Sequence, residues 1–157
     1  MKLPKKLCQI LPKIAHVSSH IVPGSIQSKV ITVAINNALK EQLEDGELDF
    51  LEEVFLEIKV TDLNKSWFFT VEDEKINVSH MSKTQLNSDV VISGDFNSFV
   101  LLASQTIDPD TLFFKRKLLI EGDVELGLAV KNLLDRVELN QLPELLTKPI
   151  VAYAEIL

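Results

Sequence analysis

Cys8 is the only cysteine in the chain, so no disulfide can form within it, which fits a reducing compartment. No run of residues approaches the ~20 apolar positions needed to span a bilayer. Glycine is sparse and scattered, and no glycine-rich phosphate loop occurs. Ser93-Gly94-Asp95 lacks the five-residue pattern of a nucleophile elbow. Cys8, His16 and His20 hold no fourth metal ligand at finger spacing, and Pro12 and Pro23 crowd them. His80 stands alone, with no orienting partner in the pattern. Asp and Glu are absent from the first forty residues. Together these gaps leave little room for nucleophilic, phosphate-handling or metal chemistry.

What remains is 157 residues, 46% hydrophobic and 25% charged, the composition of one soluble domain able to bury a core without staples. The net charge of −7 is unevenly placed. Lys2, Lys5, Lys6, Lys13, Lys29 and Lys40 make the first forty residues purely basic, and all 23 acids lie beyond them. An acidic bulk repels phosphate, so nucleic acid is not an expected partner. Residues 1–24 read as a separate arm in which lysines alternate with Leu3, Leu7, Ile10, Leu11 and Ile14. That pattern suits an anionic membrane surface, with Lys2, Lys5, Lys6 and Lys13 as the contacts. The alternative is a soluble tail that docks on its own domain. The arm opens like an export signal, but Pro4, Gln9, Pro12 and Lys13 break its apolar part. Export is therefore not expected, and the cytoplasm is the expected location.

Beyond Pro23-Gly24 the pattern has period 3.6. Ser25 is the expected N-cap of a helix to about Asp45, with Ile26, Val30, Val33 and Asn37 along one face. Ile31, Ile35, Ala38 and Leu39 widen its apolar side. Gly46 is the expected stop. Then the period becomes 2. Val54, Leu56, Ile58 and Val60 alternate with Glu57 and Lys59, and two further short strands follow polar turns, predicting an antiparallel meander. Residues 89–93 form a fourth strand. A helix with Phe96, Phe99, Val100 and Ala103 on one stripe follows, then Asp108-Pro109 as N-cap and first helical residue. Residues 117–121 are the fifth strand, Gly122 turns, and Asp123 caps the last long helix. The tail 139–157 is apolar, broken by Pro143 and Pro149, and expected to pack on the domain. The order implies an α+β class with an antiparallel-rich sheet.

Acid groups at Glu52-Glu53, Glu72-Asp73-Glu74 and Asp108 with Asp110 fall at turns and caps, where they serve solubility and helix dipoles. Lys115-Arg116-Lys117 beside Phe113-Phe114 reads as a solvated strand start or as a contact for phosphate headgroups or a partner's acids. Trp67-Phe68-Phe69 sends aromatics to both faces of a strand, so helices, a ligand, a membrane or a partner must cover the second face. Between Phe96 and Leu134 apolar residues exceed a single stripe: Leu101, Leu102, Leu119, Leu126, Leu128, Ala129, Val130 and Leu133 join in. Either they pack tightly or they enclose a space for an apolar ligand.

The run DVVISGDFNSFVLLASQTIDPDTLFFKRKLLIEGD, residues 89–123, resembles the sterol carrier protein 2 family. More narrowly, DGELDFLE, TDLNKSWFFTV and LLIEGDVELGLAVKNLLDRVEL resemble the UbiT-like accessory factors of bacterial ubiquinone biosynthesis. The resemblance implies a five-stranded, largely antiparallel sheet covered by helices, with an apolar tunnel, over residues 25–138. It implies no catalysis and no cofactor. It implies a role in oxygen-independent ubiquinone synthesis, holding polyprenylated quinone intermediates or phospholipid beside the hydroxylase-type proteins UbiU and UbiV. The tunnel side would be Phe99, Val100 and Phe113, with Leu118, Ile120 and Leu128 behind them. One departure is Arg116, where many sterol carrier domains have glycine; it is expected to close or reshape one tunnel end. A scaffold or homodimer module with no internal ligand is the alternative reading.

Overall fold

A computed structural model describes residues 21–80, 87–136 and 144–157. The basic arm's Lys2, Lys5, Lys6 and Lys13, and Cys8, His16 and His20, lie outside the described residues.

Helix α1 spans Gly24–Ala38. Its N-cap is Pro23 rather than the expected Ser25, and the Pro23 carbonyl accepts from the amides of Ile26 and Gln27 at 3.0 and 3.2 Å. Proline's fixed φ suits this boundary, so the helix starts before the serine. Leu39 (φ −107°) interrupts the expected single helix, and α2 resumes over Lys40–Glu44. Gly46, at φ +73°, then ends α2. The Glu47 amide reaches the Gln42 carbonyl and the Gly46 amide reaches Leu43, the paired bonds of a Schellman stop.

The strands are β1 (Leu56–Val60), β2 (Lys65–Glu72), β3 (Lys75–Ser79), β4 (Val90–Gly94) and β5 (Leu118–Gly122). They pair in the order β3-β2-β1-β4-β5. The first three form the expected meander, β4 lies parallel to β1, and β5 is antiparallel to β4. One row across the sheet runs Trp67, Ile58, Ile92, Ile120, and the next runs Val78, Phe69, Leu56, Val90. Except for Trp67, which leans on His80, both rows pack into the core with Leu39, Leu43, Leu48, Leu51, Val130 and Leu133. Phe68 points to the other face and is nevertheless buried. On that face Glu57 accepts hydrogen bonds from the hydroxyls of Ser66 (2.6 Å) and Ser88 (3.0 Å).

Three caps place the remaining helices. Helix α3 (Phe96–Ala103) starts where Asp95 Oδ1 accepts from the Ser98 amide at 2.7 Å. Helix α4 (Pro109–Phe114) starts where Asp108 accepts from the Thr111 amide and hydroxyl. Helix α5 (Val124–Arg136) starts where Asp123 Oδ1 accepts from the Leu126 amide at 3.1 Å. The last helix, α6 (Glu144–Ala154), carries Pro149 inside it and lies on α3, with Tyr153 Oη donating to Asn97 Oδ1 at 2.8 Å.

Helix α1 meets its expected orientation only in part: Ile35, Ala38 and Leu39 of the expected apolar side turn to the core. Ile26, Val30 and Val33 are exposed, while Ser28 and Ala38 are buried and Ile35 packs on the core. At Gly24 and Asn36 the inward face is chosen by fit and hydrogen bonding rather than hydropathy. Gly24 lies so close to His80 that a Cβ would sit 2.1 Å from the ring. The Asn36 amide group both accepts from the Ile76 amide (2.9 Å) and donates to its carbonyl (2.7 Å). It thereby satisfies the outward backbone groups of one residue on the open edge of β3.

Candidate functional site

Part of the apolar excess of the second half meets in a groove between α4, β5 and α5. Three local choices build it. Alternation along β5 turns Leu118 and Ile120 to the helix side and Leu119 away; Leu118 is fully buried and Leu119 is exposed. Helix α4 is only six residues long and stacks Leu112 into the core, leaving Phe113 beside β5 and Phe114 at the surface. Helix α5 approaches β5 at Gly127, where a Cβ would lie 2.2 Å from Ile120 Cγ2. The neighbouring Leu128 then stands on the rim. The result is an open concavity of about 620 Å³, with Phe113 and Ile120 at its base, Phe114 and Leu128 on the apolar part of its rim, and Asp110, Thr111, Lys115 and Lys131 also lining it. That volume falls within the ~300–1,000 Å³ of ordinary ligand pockets.

Of the six residues expected on the tunnel side, Phe113, Ile120 and Leu128 meet in this groove. Phe99 is half-buried against the main core, and Leu118 is buried beside Gly94. Val100 faces elsewhere, into a second small cluster with Tyr153 and Ala154. Among the described residues the space is an open groove rather than a closed tunnel. Sequence reasoning did not place Phe114, Lys115, Asp110 or Lys131 at this site. The available signal was Phe113-Phe114 ending a helix too short to bury both.

The rim is polar but largely self-satisfied. Lys131, mostly buried, forms an ion pair with exposed Asp110 across the α4–α5 seam. The Asp108 carboxyl is held below the usual carboxylate range, first by the Thr111 hydroxyl, then by the Thr111 amide, with a smaller contribution from Lys115. Arg116 is exposed and does not line the groove, so it does not close it. Its φ of +56° explains why glycine suits this position: a side chain there costs roughly 1–2 kcal/mol. Among the described residues no cluster of three His, Cys, Asp or Glu is placed to hold a metal. His80 Nδ1 meets the Ser66 carbonyl at 2.9 Å and the ring leans on Trp67, which is structural work.

The profile of the SCP-2 sterol transfer family matches residues 34–135. The ubiquinone biosynthesis accessory factors UbiT of Escherichia coli strains K12 and CFT073 are each 37% identical over 154 residues, covering 98% of this chain and 86% of theirs. The chain belongs to the UbiT group of the SCP-2 family. Its fold is also that of the solved "UbiJ-SCP2 Ubiquinone synthesis protein", with a TM-score of 0.59 at 14% identity over 73% of this chain and 93% of that one. Within this family fold, the groove supplies apolar contact area beside a polar rim. It can hold an apolar molecule by exclusion of water.

Proposed function

We propose that the chain is a non-catalytic, lipid-binding accessory factor of ubiquinone biosynthesis that works without oxygen. In this reading the α4–β5–α5 groove holds the polyprenyl tail of a quinone intermediate, or another lipid, beside UbiU- and UbiV-type hydroxylase partners. Residues 25–138 are the lipid-binding unit, with the tail from 139 to 157 packed on it. The basic arm 1–24 brings the unit to the membrane from the cytoplasm through Lys2, Lys5, Lys6 and Lys13. The observation that carries the reading is an open groove lined by Phe113, Phe114, Ile120 and Leu128 in a chain so similar to UbiT. A prenyl tail suits it, because each buried CH₂ contributes ~0.8 kcal/mol and no charged partner is needed. Among the described residues no helix is long and apolar enough to cross a membrane.

Solvent extraction of the purified full chain followed by mass spectrometry should return a prenylated or acyl lipid. Lipid-free protein that also fails to bind a prenylphenol would overturn the carrier reading. Deletion in anaerobically grown cells should lower ubiquinone; an unchanged level would remove the pathway assignment.

The exposed stripe Ile26, Val30 and Val33 on α1 favours a second reading, a docking face for a protein partner or a second copy. Val30→Asp should then abolish a dimer or complex seen by analytical ultracentrifugation while leaving lipid content intact.

A further inference from the structure

We propose that the turn after α4, Phe114 to Lys117, is a membrane-contact surface that seats the groove mouth on an anionic bilayer. It is distinct from the basic arm, and it does not depend on what the groove holds. Phe114 is 91% exposed, the barest large apolar side chain among the described residues, yet it also lines the groove. Lys115, Arg116 and Lys117 follow it directly and are all exposed. Of the nearby cations, Lys131 is taken by Asp110 and Lys115 lies in the field of Asp108. Among the described residues, Arg116 and Lys117 form no ion pair. The left-handed backbone at Arg116 turns the chain sharply here, between α4 and β5.

The chemistry selects the occupant. A chain of net charge −7 is repelled by an anionic surface as a whole, so contact must be made by a local concentration of free cations. An aromatic ring beside such cations is the interfacial pattern: the ring enters the headgroup level and the cations meet phosphate. The apolar surface continues to Leu128, 47% exposed on the opposite rim, and one turn back to exposed Val124. A bilayer covers this rim and the ring together and leaves the groove open toward lipid. An acidic protein would satisfy the cations while closing the mouth.

The test is co-sedimentation of the full chain with phosphatidylcholine vesicles with and without phosphatidylglycerol. Binding should require the anionic lipid. Arg116→Gln with Lys117→Gln should lower the partition coefficient about fivefold per charge removed, and Phe114→Ala by about tenfold. All three positions are exposed, so thermal unfolding should not move. The same losses should appear on a background with Lys2, Lys5, Lys6 and Lys13 changed to Gln, which separates this surface from the arm. Vesicle binding unaffected by the turn variants would overturn the proposal. So would an absence of vesicle binding alongside turn-dependent capture of an acidic protein. Lipid extracted from the same preparations reports on the groove separately.

Discussion

Gly127→Ala puts two rules in opposition. Helix propensity alone predicts a gain, since alanine is favoured over glycine by about 1 kcal/mol inside a helix. The structure predicts a loss. An added Cβ would lie 2.2 Å from Ile120 Cγ2 and 3.4 Å from Ile120 Cβ and Cδ1. Carbon pairs settle at ~3.5–4.0 Å, so more than ~1 Å must be recovered. Ile120 is β-branched and holds a stiff χ1, so Cγ2 cannot swing aside cheaply. Overpacking of this kind costs about 1–3 kcal/mol. After the propensity gain, the net loss is about 1 kcal/mol, or roughly 2–4 °C in Tm for a domain of this size. The strain is relieved either by α5 lifting from β5 or by Ile120 moving into the groove, and both change the site. Urea denaturation of the single mutants and of Ile120→Ala with Gly127→Ala measures the coupling. In the double mutant Cγ2 is gone, so alanine at 127 should be neutral or stabilising, giving a coupling of at least about 1 kcal/mol. A Gly127→Ala variant as stable as the parent, or additive with Ile120→Ala, would refute the close approach.

Asn36→Ala removes both hydrogen bonds to the Ile76 backbone and should cost about 1–3 kcal/mol. Hydrogen exchange should show faster exchange of the Ile76 amide than of amides in β1, and equal rates would argue against the edge cap. Thr111→Val removes the hydroxyl that most lowers the Asp108 carboxyl, so NMR titration should find that carboxyl moved back up toward its ordinary value. Because the folded carboxyl is depressed, its contribution to stability is complete above the unfolded carboxylate range. It is lost as pH falls through the folded value. Thr111→Val should therefore flatten the acid limb of the stability curve, and an unchanged limb would discount the bond.

The strands and caps were legible because their signals are local. Alternation at Leu56, Ile58 and Val60 is a property of five neighbouring residues, and Asp95, Asp108 and Asp123 each bond an amide three residues on. Along α1, Ile35, Ala38 and Leu39 follow hydropathy into the core, whereas Ile26, Val30 and Val33 lose the inward side to Gly24, Ser28 and Asn36. There the choice is made instead by the room that Gly24 leaves for the His80 ring and by the edge groups of Ile76. The parallel pairing of β1 with β4 has no local mark either. Leu56 meets Val90 across the whole intervening hairpin, and only the closed sheet chooses that neighbour.

Whether the apolar excess would be hollow or full turned on a single small residue and a short helix. Pattern counts side chains, and by count Leu118, Ile120, Leu126, Leu128, Val130 and Leu133 suffice to fill a core. Leu118, Val130 and Leu133 do so. Gly127 draws α5 onto β5 at Ile120, and this contact fixes the rotation of the helix. Leu128, the next residue, is carried about 100° around the axis by helical geometry and emerges on the rim. Six residues of α4 cannot cover the gap this leaves, because Leu112 is already committed to the core. An apolar surplus therefore becomes an open groove through backbone proximity, which hydrophobic periodicity does not encode. The same reasoning locates where its shape is tuned: enlarging residue 127 moves a wall, whereas changing Leu128 alters only the rim that a bound chain would touch.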